Sequence, residues 1–576
     1  MTKPSDHQQP PAAYPLKDYP VEEYPFALGG YSHPITTPSV EAQVWFDRGL
    51  AWTYAYNHEE AVACFRRALE YDPRCVMASF GIAYASGPFY NRPWIRYTAA
   101  EIVRVLPGCA EAAEYALLYS CEATPVEQAL AGAIGKRYQQ RSCECKDTLN
   151  AWHRDVTDAM RAAKRDFPDD LDVLALFSEA AITCTPRMLW NLQSGDMRDD
   201  AHTAEVVPLL AECLTRLERN GETHAGVAHV WIYTMEMSPT PELGMKAADS
   251  LRDLIPDGGH LRHMPAHIDV LCGDYAQALQ QSRLAVATDE RFAAYAGERN
   301  FYTTARCHDL HLYMYAAMLL GQYEPATFAA NRIRAIATSE LMATSEAYMQ
   351  TLLDVYSSMR IHALVRFGCW HELTDLVDED DSRKRIARVM LHYGRGVAYA
   401  ALGNLAAARE EQARFSEGVQ NVPEETVLLS NPALSVLAVG ESMLAGELEY
   451  RRENYDAAFA HLRIAVRRDD NLNYTEPWAW MHPPRHALGA LLIEQGHYAE
   501  AEAVFRADLG FDDAVPHCCQ HADNIWALTG LSQCLQHRDA RDELRYIEPH
   551  LRRAQARADD NIKSACFCAQ ASCCSG

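Results

Sequence analysis

From about residue 41 the sequence carries apolar residues three and four positions apart, in segments that recur as pairs. The first pair is the plainest. Trp45-Phe46-Asp47-Arg48-Gly49-Leu50-Ala51-Trp52-Thr53-Tyr54 reads as one helix. Asn57-His58-Glu59-Glu60 then opens a second, Ala61-Val62-Ala63-Cys64-Phe65-Arg66-Arg67-Ala68-Leu69, which Asp72-Pro73 stops. The grammar is a small residue where two helices cross, A-x-x-x-F in the second helix, and a proline. Elements of it return at Leu319-Leu320-Gly321-Gln322-Tyr323, Ala401-Leu402-Gly403-Asn404, Arg452-Glu453-Asn454-Tyr455 and Glu494-Gln495-Gly496-His497-Tyr498. A chain of 576 residues is too long for one core, but stacked pairs escape that limit because each packs only on its neighbours.

This grammar is close to the tetratricopeptide-repeat (TPR) signature, and it predicts an all-α, TPR-like α-solenoid: a right-handed superhelix of helix pairs. The first helix of each pair would line the concave face. Roughly seven to nine pairs fit the usual repeat length. Repeats between 100 and 220 are degenerate, though helix is still clear in 155–166 and 171–183. Three parts are expected: a Pro/Tyr-rich arm over 1–40, the superhelix over 41–560, and a Cys-rich tail over 561–576. The arm has Tyr-Pro at 14–15, 19–20 and 24–25. Proline at that density blocks helix and leaves it extended, either along the solenoid or as a disordered leader.

The net charge is −25. It argues against nucleic acid as the main partner, because phosphate needs clustered Lys and Arg, and it reads first as a solvated acidic surface that favours solubility, with cationic ligands as the other reading. No run of 18 apolar residues predicts a membrane span. The N-terminus, MTKPSDHQQPPAAYP, lacks the basic-then-apolar order of a secretory signal, so a cytoplasmic location is expected. There the 18 cysteines are not a disulfide framework, and Cys64, Cys272 and Cys534 read as small core residues. The tail differs. Cys566-Phe567-Cys568 and Cys573-Cys574 suit a soft ion such as Cu(I) better than tetrahedral zinc. The other reading is a plug over the last helix pair.

The histidines gather on successive first helices. His229, Tyr233 and Glu236 are spaced four and three apart, one polar stripe at helical period. Gly258-Gly259-His260-Leu261-Arg262-His263-Met264-Pro265-Ala266-His267 places His263 in the loop before the next first helix and His267 in its first turn. His308 and His311 follow on the one after. Neutral imidazole is the commonest ligand for zinc, copper and iron. A helix N-terminus lowers the pKa of His267, which keeps it neutral. A second set, Trp478, Trp480, His482, Pro484 and His486, with His517-Cys518-Cys519-Gln520-His521, is expected to be structural packing. There is no Walker loop, no G-x-G-x-x-G before a helix, no H-E-x-x-H and no G-x-S-x-G, so no organic cofactor is indicated.

His224-Ala225-Gly226-Val227-Ala228-His229 with Glu236-Met237-Ser238-Pro239, followed by Gly259-His260-Leu261-Arg262-His263-Met264-Pro265-Ala266-His267-Ile268, resembles a group of largely uncharacterised bacterial and fungal TPR proteins. They carry H-P-G-x-x-H-x-x-x-H-x-x-E and G-H-x-x-H-M-P-x-H-I. Trp45 to Asn91 and Arg485-His486-Ala487-Leu488-Gly489 look like the same group. The resemblance implies a shared site of His224, His229, Glu236, His260, His263 and His267. Tyr233 stands where the group has a third histidine, which favours a smaller, open site.

These residues lead to an expectation of a metal-dependent enzyme, a copper oxidoreductase acting on a small molecule in the concave groove. His224, His229, His260, His263 and His267 would be metal ligands, with Glu236 and Tyr233 as catalytic or supporting groups and zinc or iron as other metals. The alternative is a non-catalytic TPR scaffold that binds a protein or peptide partner in the same groove.

Overall fold

The computed structural model describes residues 20–560 and 562–570. Those residues form an α-solenoid of TPR type, with one two-residue antiparallel strand pair at Val427–Leu428 and Asn431–Pro432. The helices pack in sequence order as antiparallel-type pairs. Val40–Tyr54 pairs with His58–Tyr71, Val76–Ala85 with Ala99–Tyr119, and Pro125–Arg137 with Lys146–Asp166. Leu171–Thr183 pairs with Thr203–Asn220, and Ala225–Met235 with Met245–Leu251. The short helices Gly259–His263 and Pro265–Leu271 together face Tyr275–Ala296; Tyr302–Leu320 faces Tyr323–Ile336, and Ala347–Arg366 faces Trp370–Asp375. Arg385–Ala401 with Leu405–Gln420, Ala433–Arg451 with Tyr455–Asp470, Pro484–Glu494 with Tyr498–Asp508, and Ile525–His537 with Arg541–Gln555 complete the series.

This is more pairs than the seven to nine that the sequence pattern suggests. The excess lies in the degenerate stretch, where Val76–Asn220 holds three pairs. There the helices are as regular as elsewhere but the marks are sparse, with one A-x-x-x-F and proline stop at Ala163 to Pro168. Thr98 and Thr124 instead open their helices with capping boxes to Glu101 and Glu127.

The aromatic of the repeat works as a wedge. A Cβ at Gly49 would lie 2.5 Å from the Phe65 ring, and one at Gly81 would lie 2.6 Å from it. Phe65 therefore fills the space that two successive first helices leave by carrying glycine. Phe505 does the same between Gly489 and Gly530, where an added Cβ would sit 2.3 Å from the ring on either side.

The solenoid closes on itself. Trp526 Nε1 donates to Met318 O at 2.7 Å, and the Asp559 amide donates to Gly321 O at 3.0 Å. Residues 472–483 turn inward. Tyr474, Trp478, Trp480 and His482 are buried there, and Glu476 pairs with Arg187 at 3.0 Å. The concave side is thus occupied by the chain's own residues.

Residues 20–39 lie along the first pairs. The Tyr24 hydroxyl donates to Glu60 at 2.6 Å and accepts from Trp52 Nε1 at 2.7 Å, while Phe26 sits edge-on to Trp52 and Tyr295. At the other end, residues 562–570 are packed, contrary to an exposed tail. Ile562, Ala565 and Cys568 are buried, Arg366 Nη2 donates to Ala565 O at 2.7 Å, and a Cβ at Gly368 would meet Phe567 at 2.9 Å. Cys566 and Cys568 are joined as a disulfide. Residues 1–19, and Cys573 and Cys574, lie outside the described residues. Among the described residues no helix is long and apolar enough to cross a membrane.

Candidate metal centre

Three ring nitrogens converge inside the solenoid. His263 Nε2 lies 2.8 Å from His267 Nε2 and 3.0 Å from His308 Nε2. Each contact is satisfied as an N–H···N bond only when one ring carries its proton on Nε2 and the other its lone pair. Burial pushes the pKa of His263 and His308 well below the ordinary 6.5, with the neighbouring histidines adding to the effect, and that of His267 down to about 3. Desolvation, rather than the helix N-terminus alone, keeps His267 neutral.

Local structure explains the convergence. Gly259–His263 and Pro265–Leu271 are separated only by Met264, so His263 is helical rather than in a loop. Four residues apart on nearly continuous helix, His263 and His267 share one face. His308 comes from the first helix of the next pair, Tyr302–Leu320.

Carboxylates lie behind the rings. His267 Nδ1 lies 2.7 Å from Glu236 Oε2, and with the proton on Nδ1 the lone pair is left on Nε2. His263 Nδ1 faces Asp309 Oδ1 at 3.6 Å, and His260 Nδ1 faces the same atom at 3.7 Å. Both Asp309 oxygens lack a hydrogen-bond partner, and burial raises its pKa to about 8. Glu476 joins Glu236 and His267 in a second cluster of potential ligand atoms. Its charge is held by Arg187, whereas burial and the nearby Glu476 raise Glu236 well above the usual carboxylate range.

The expected site residues divide. His260, His263 and His267 come together, and His260, His263, His308 and Asp309 form a group able to hold a metal ion. His224 does not join them. It caps the Ala225–Met235 helix, with Nδ1 accepting from the Val227 amide at 3.2 Å and Nε2 lying 3.2 Å from Asp172 and 3.0 Å from the Tyr31 hydroxyl. His229 is bound through Nδ1 to Tyr54 O at 2.7 Å, and its buried Nε2 has no partner. Its ring centroid is 5.4 Å from that of His260. Tyr233 bonds His260 Nε2 at 3.1 Å and accepts from Asn91 at 2.7 Å. Glu236 supports His267. His308, Asp309 and Glu476 were outside the expected set. The recurrence of histidine on three successive first helices was the available signal for His308; Glu476 is 209 positions on from His267 and had none.

Of the three, His308 borders a cavity of about 570 Å³, while His263 and His267 are buried and do not line it. His260, half-buried His308 and Glu476 stand at its inner end with Tyr56, Tyr302 and Tyr356. Three imidazoles, one of which (His308) lines such a space, could hold a metal and leave a position open.

A family model for the tetratricopeptide repeat matches residues 42–75, the first helix pair. No curated protein matches the sequence. Among solved structures, a monomeric mutant of IFIT1 with Gppp-AAAA is 10% identical, with 90% of each chain covered and a TM-score of 0.30. The APC/C hetero-tetramer Cut9-Hcn1 is 12% identical, covers 92% of this chain and 96% of its own, and has a TM-score of 0.25. Naa15/Naa10 bound to HypK-THB is 12% identical over 90% of this chain and 73% of its own, with a TM-score of 0.19. Likeness at this level says nothing about activity.

Proposed function

We propose that this chain is a metal-dependent enzyme whose metal is held by His263, His267 and His308 and whose substrate is a small molecule in the adjoining cavity. The observation that carries the reading is the meeting of three neutral Nε2 atoms within 2.8 and 3.0 Å of one another through His263. With each ring in the tautomer that leaves Nε2 unprotonated, the three lone pairs point at one place, and a cation there would satisfy them together. Copper is the proposed metal, because imidazole sites bind Cu²⁺ most tightly among the first-row divalent ions, with zinc and iron behind it. Bound there, the ion supplies Lewis acidity at its open position, and redox capacity in the case of copper or iron.

The chain's own residues have defined tasks in this reading. Glu236 fixes the His267 ring, and Asp309 faces the Nδ1 atoms of His260 and His263. Glu476, at the cavity wall and braced by Arg187, is placed to take or hold a proton from a ligand. The buried tyrosines exclude water from the inner end. The second reading is a non-catalytic TPR scaffold that binds a protein or peptide partner, which the TPR-type fold supports.

Elemental analysis of protein purified without a His tag tests this. About one metal ion per chain is expected, with loss of most of it in His308→Ala. Less than about 0.2 per chain after reconstitution with Cu²⁺, Zn²⁺ and Fe²⁺ in turn would contradict the reading.

A further inference from the structure

The cavity has a chemical gradient from mouth to floor. Its inner wall is aromatic: Tyr56, Phe89, Trp94, Tyr302 and Tyr356 are all buried. Its mouth is where exposure rises, at Ile95, Arg96, Arg154 and Met188. Two guanidiniums stand there without a carboxylate partner. Arg154 is exposed and makes no hydrogen bond or ion pair among the described residues. Half-buried Arg96 donates only to Leu429 O, at 3.2 Å. The third arginine of the cavity, Arg187, is already neutralised by Glu476. The nearby Asp200 is bound to Arg198 at 2.7 Å. In a chain with 78 acidic residues against 53 basic ones, the entrance to the cavity is locally positive, opposite to the cationic ligands that the overall charge suggests.

We propose that the cavity takes a monoanionic ligand with an aromatic-sized apolar body, its acid group held by Arg96 and Arg154 and its far end directed at His308. The proposal rests on the reading of this cavity as the chamber that serves the three-histidine centre. The volume, about 570 Å³, is that of a pocket for a compound of this size. Guanidinium matches a carboxylate's two oxygens with paired donors. The aromatic walls supply apolar area and offset stacking for a ring. A ligand bound this way is oriented, because its charged end cannot enter the dry inner wall.

The test is titration calorimetry with 2-naphthoate and its neutral counterpart 2-naphthamide. The wild-type protein should bind naphthoate about tenfold or more tightly than naphthamide. Arg154→Ala, a change at an exposed residue that leaves folding intact, should weaken naphthoate by roughly threefold. Adding Arg96→Ala should remove most of the preference while leaving naphthamide unchanged. Raising salt to about 0.5 M should shrink the preference in the wild type. Equal affinity for the two compounds, an unchanged preference in the double variant, or no binding of either at millimolar concentration would overturn the proposal. Metal content read in the same samples separates the two claims. A naphthoate preference in protein that retains no metal supports this ligand class and sinks the metal reading. Retained metal without the preference does the reverse.

Discussion

His521 Nε2 lies 2.9 Å from the Tyr315 hydroxyl, although 206 residues of sequence separate them. The bond belongs to a buried network that ties the last helix pairs to the middle of the chain. Asp508 is its hub. It accepts from His521 Nδ1 at 2.9 Å, His486 Nε2 at 2.8 Å and Asn524 Nδ2 at 2.9 Å, and these partners hold its pKa below the usual carboxylate range against the opposing effect of burial. Asp508→Asn leaves donors facing donors in a dry interior. It should lower unfolding free energy by about 3 kcal/mol, read by urea denaturation. A loss under about 0.5 kcal/mol would mean that the closure is held elsewhere.

The repeat wedge gives a second expectation. Gly489→Ala places a methyl 2.3 Å from the Phe505 ring, so the ring must shift between two packed helices. A cost of about 1–3 kcal/mol is expected. The same substitution at Gly132, where an added Cβ meets nothing within 4 Å, should be neutral or slightly stabilising in thermal melts.

The packed C-terminal segment predicts the effect of truncation. Ending the chain at residue 560 uncovers the surface under Ile562, Ala565 and Phe567 beside Gly321, Gly368 and Trp526. Stability should fall by about 2 kcal/mol from lost apolar burial, with metal content unchanged. A drop in copper per chain without loss of stability would restore the soft-metal role for the tail.

His153 gives a pH dependence whose sign is fixed. Its Nε2 lies 3.0 Å from Ala180 O, and burial lowers its pKa from 6.5 to about 3. The unfolded state therefore takes up a proton below pH 6.5 while the folded state does not until about pH 3. The advantage of wild type over His153→Gln should be constant above pH 7 and shrink by about 1.4 kcal/mol per unit as pH falls below 6.5. Paired urea titrations at pH 7.5, 6 and 5 measure it. A difference that grows on acidification would contradict the assignment.

Much of this was legible in the sequence, and the gaps have physical causes. Helix pairs with Phe65 or Phe505 between glycines follow from local grammar. The pairs between residues 100 and 220 obey the same packing with a single A-x-x-x-F and proline stop, at Ala163 to Pro168, so counting by signature runs short. His260, His263, His267 and Glu236 are within 31 residues of one another, close enough for helical spacing to align them. His308 is one repeat further on, on the adjoining first helix, whereas Glu476 arrives on a distant loop that only the tertiary fold brings in. His224 shares a motif with the others, yet its position just ahead of a helix makes it a cap bound to Asp172 and Tyr31.

The central claim is that His263, His267 and His308 hold one metal ion. An anomalous difference map from crystals of the untagged protein, with data collected on both sides of the absorption edge of the metal found by elemental analysis, tests it most directly. A single strong peak is expected about 2.0–2.1 Å from the three Nε2 atoms. No peak between the three rings, or a peak coordinated by other residues, would contradict it.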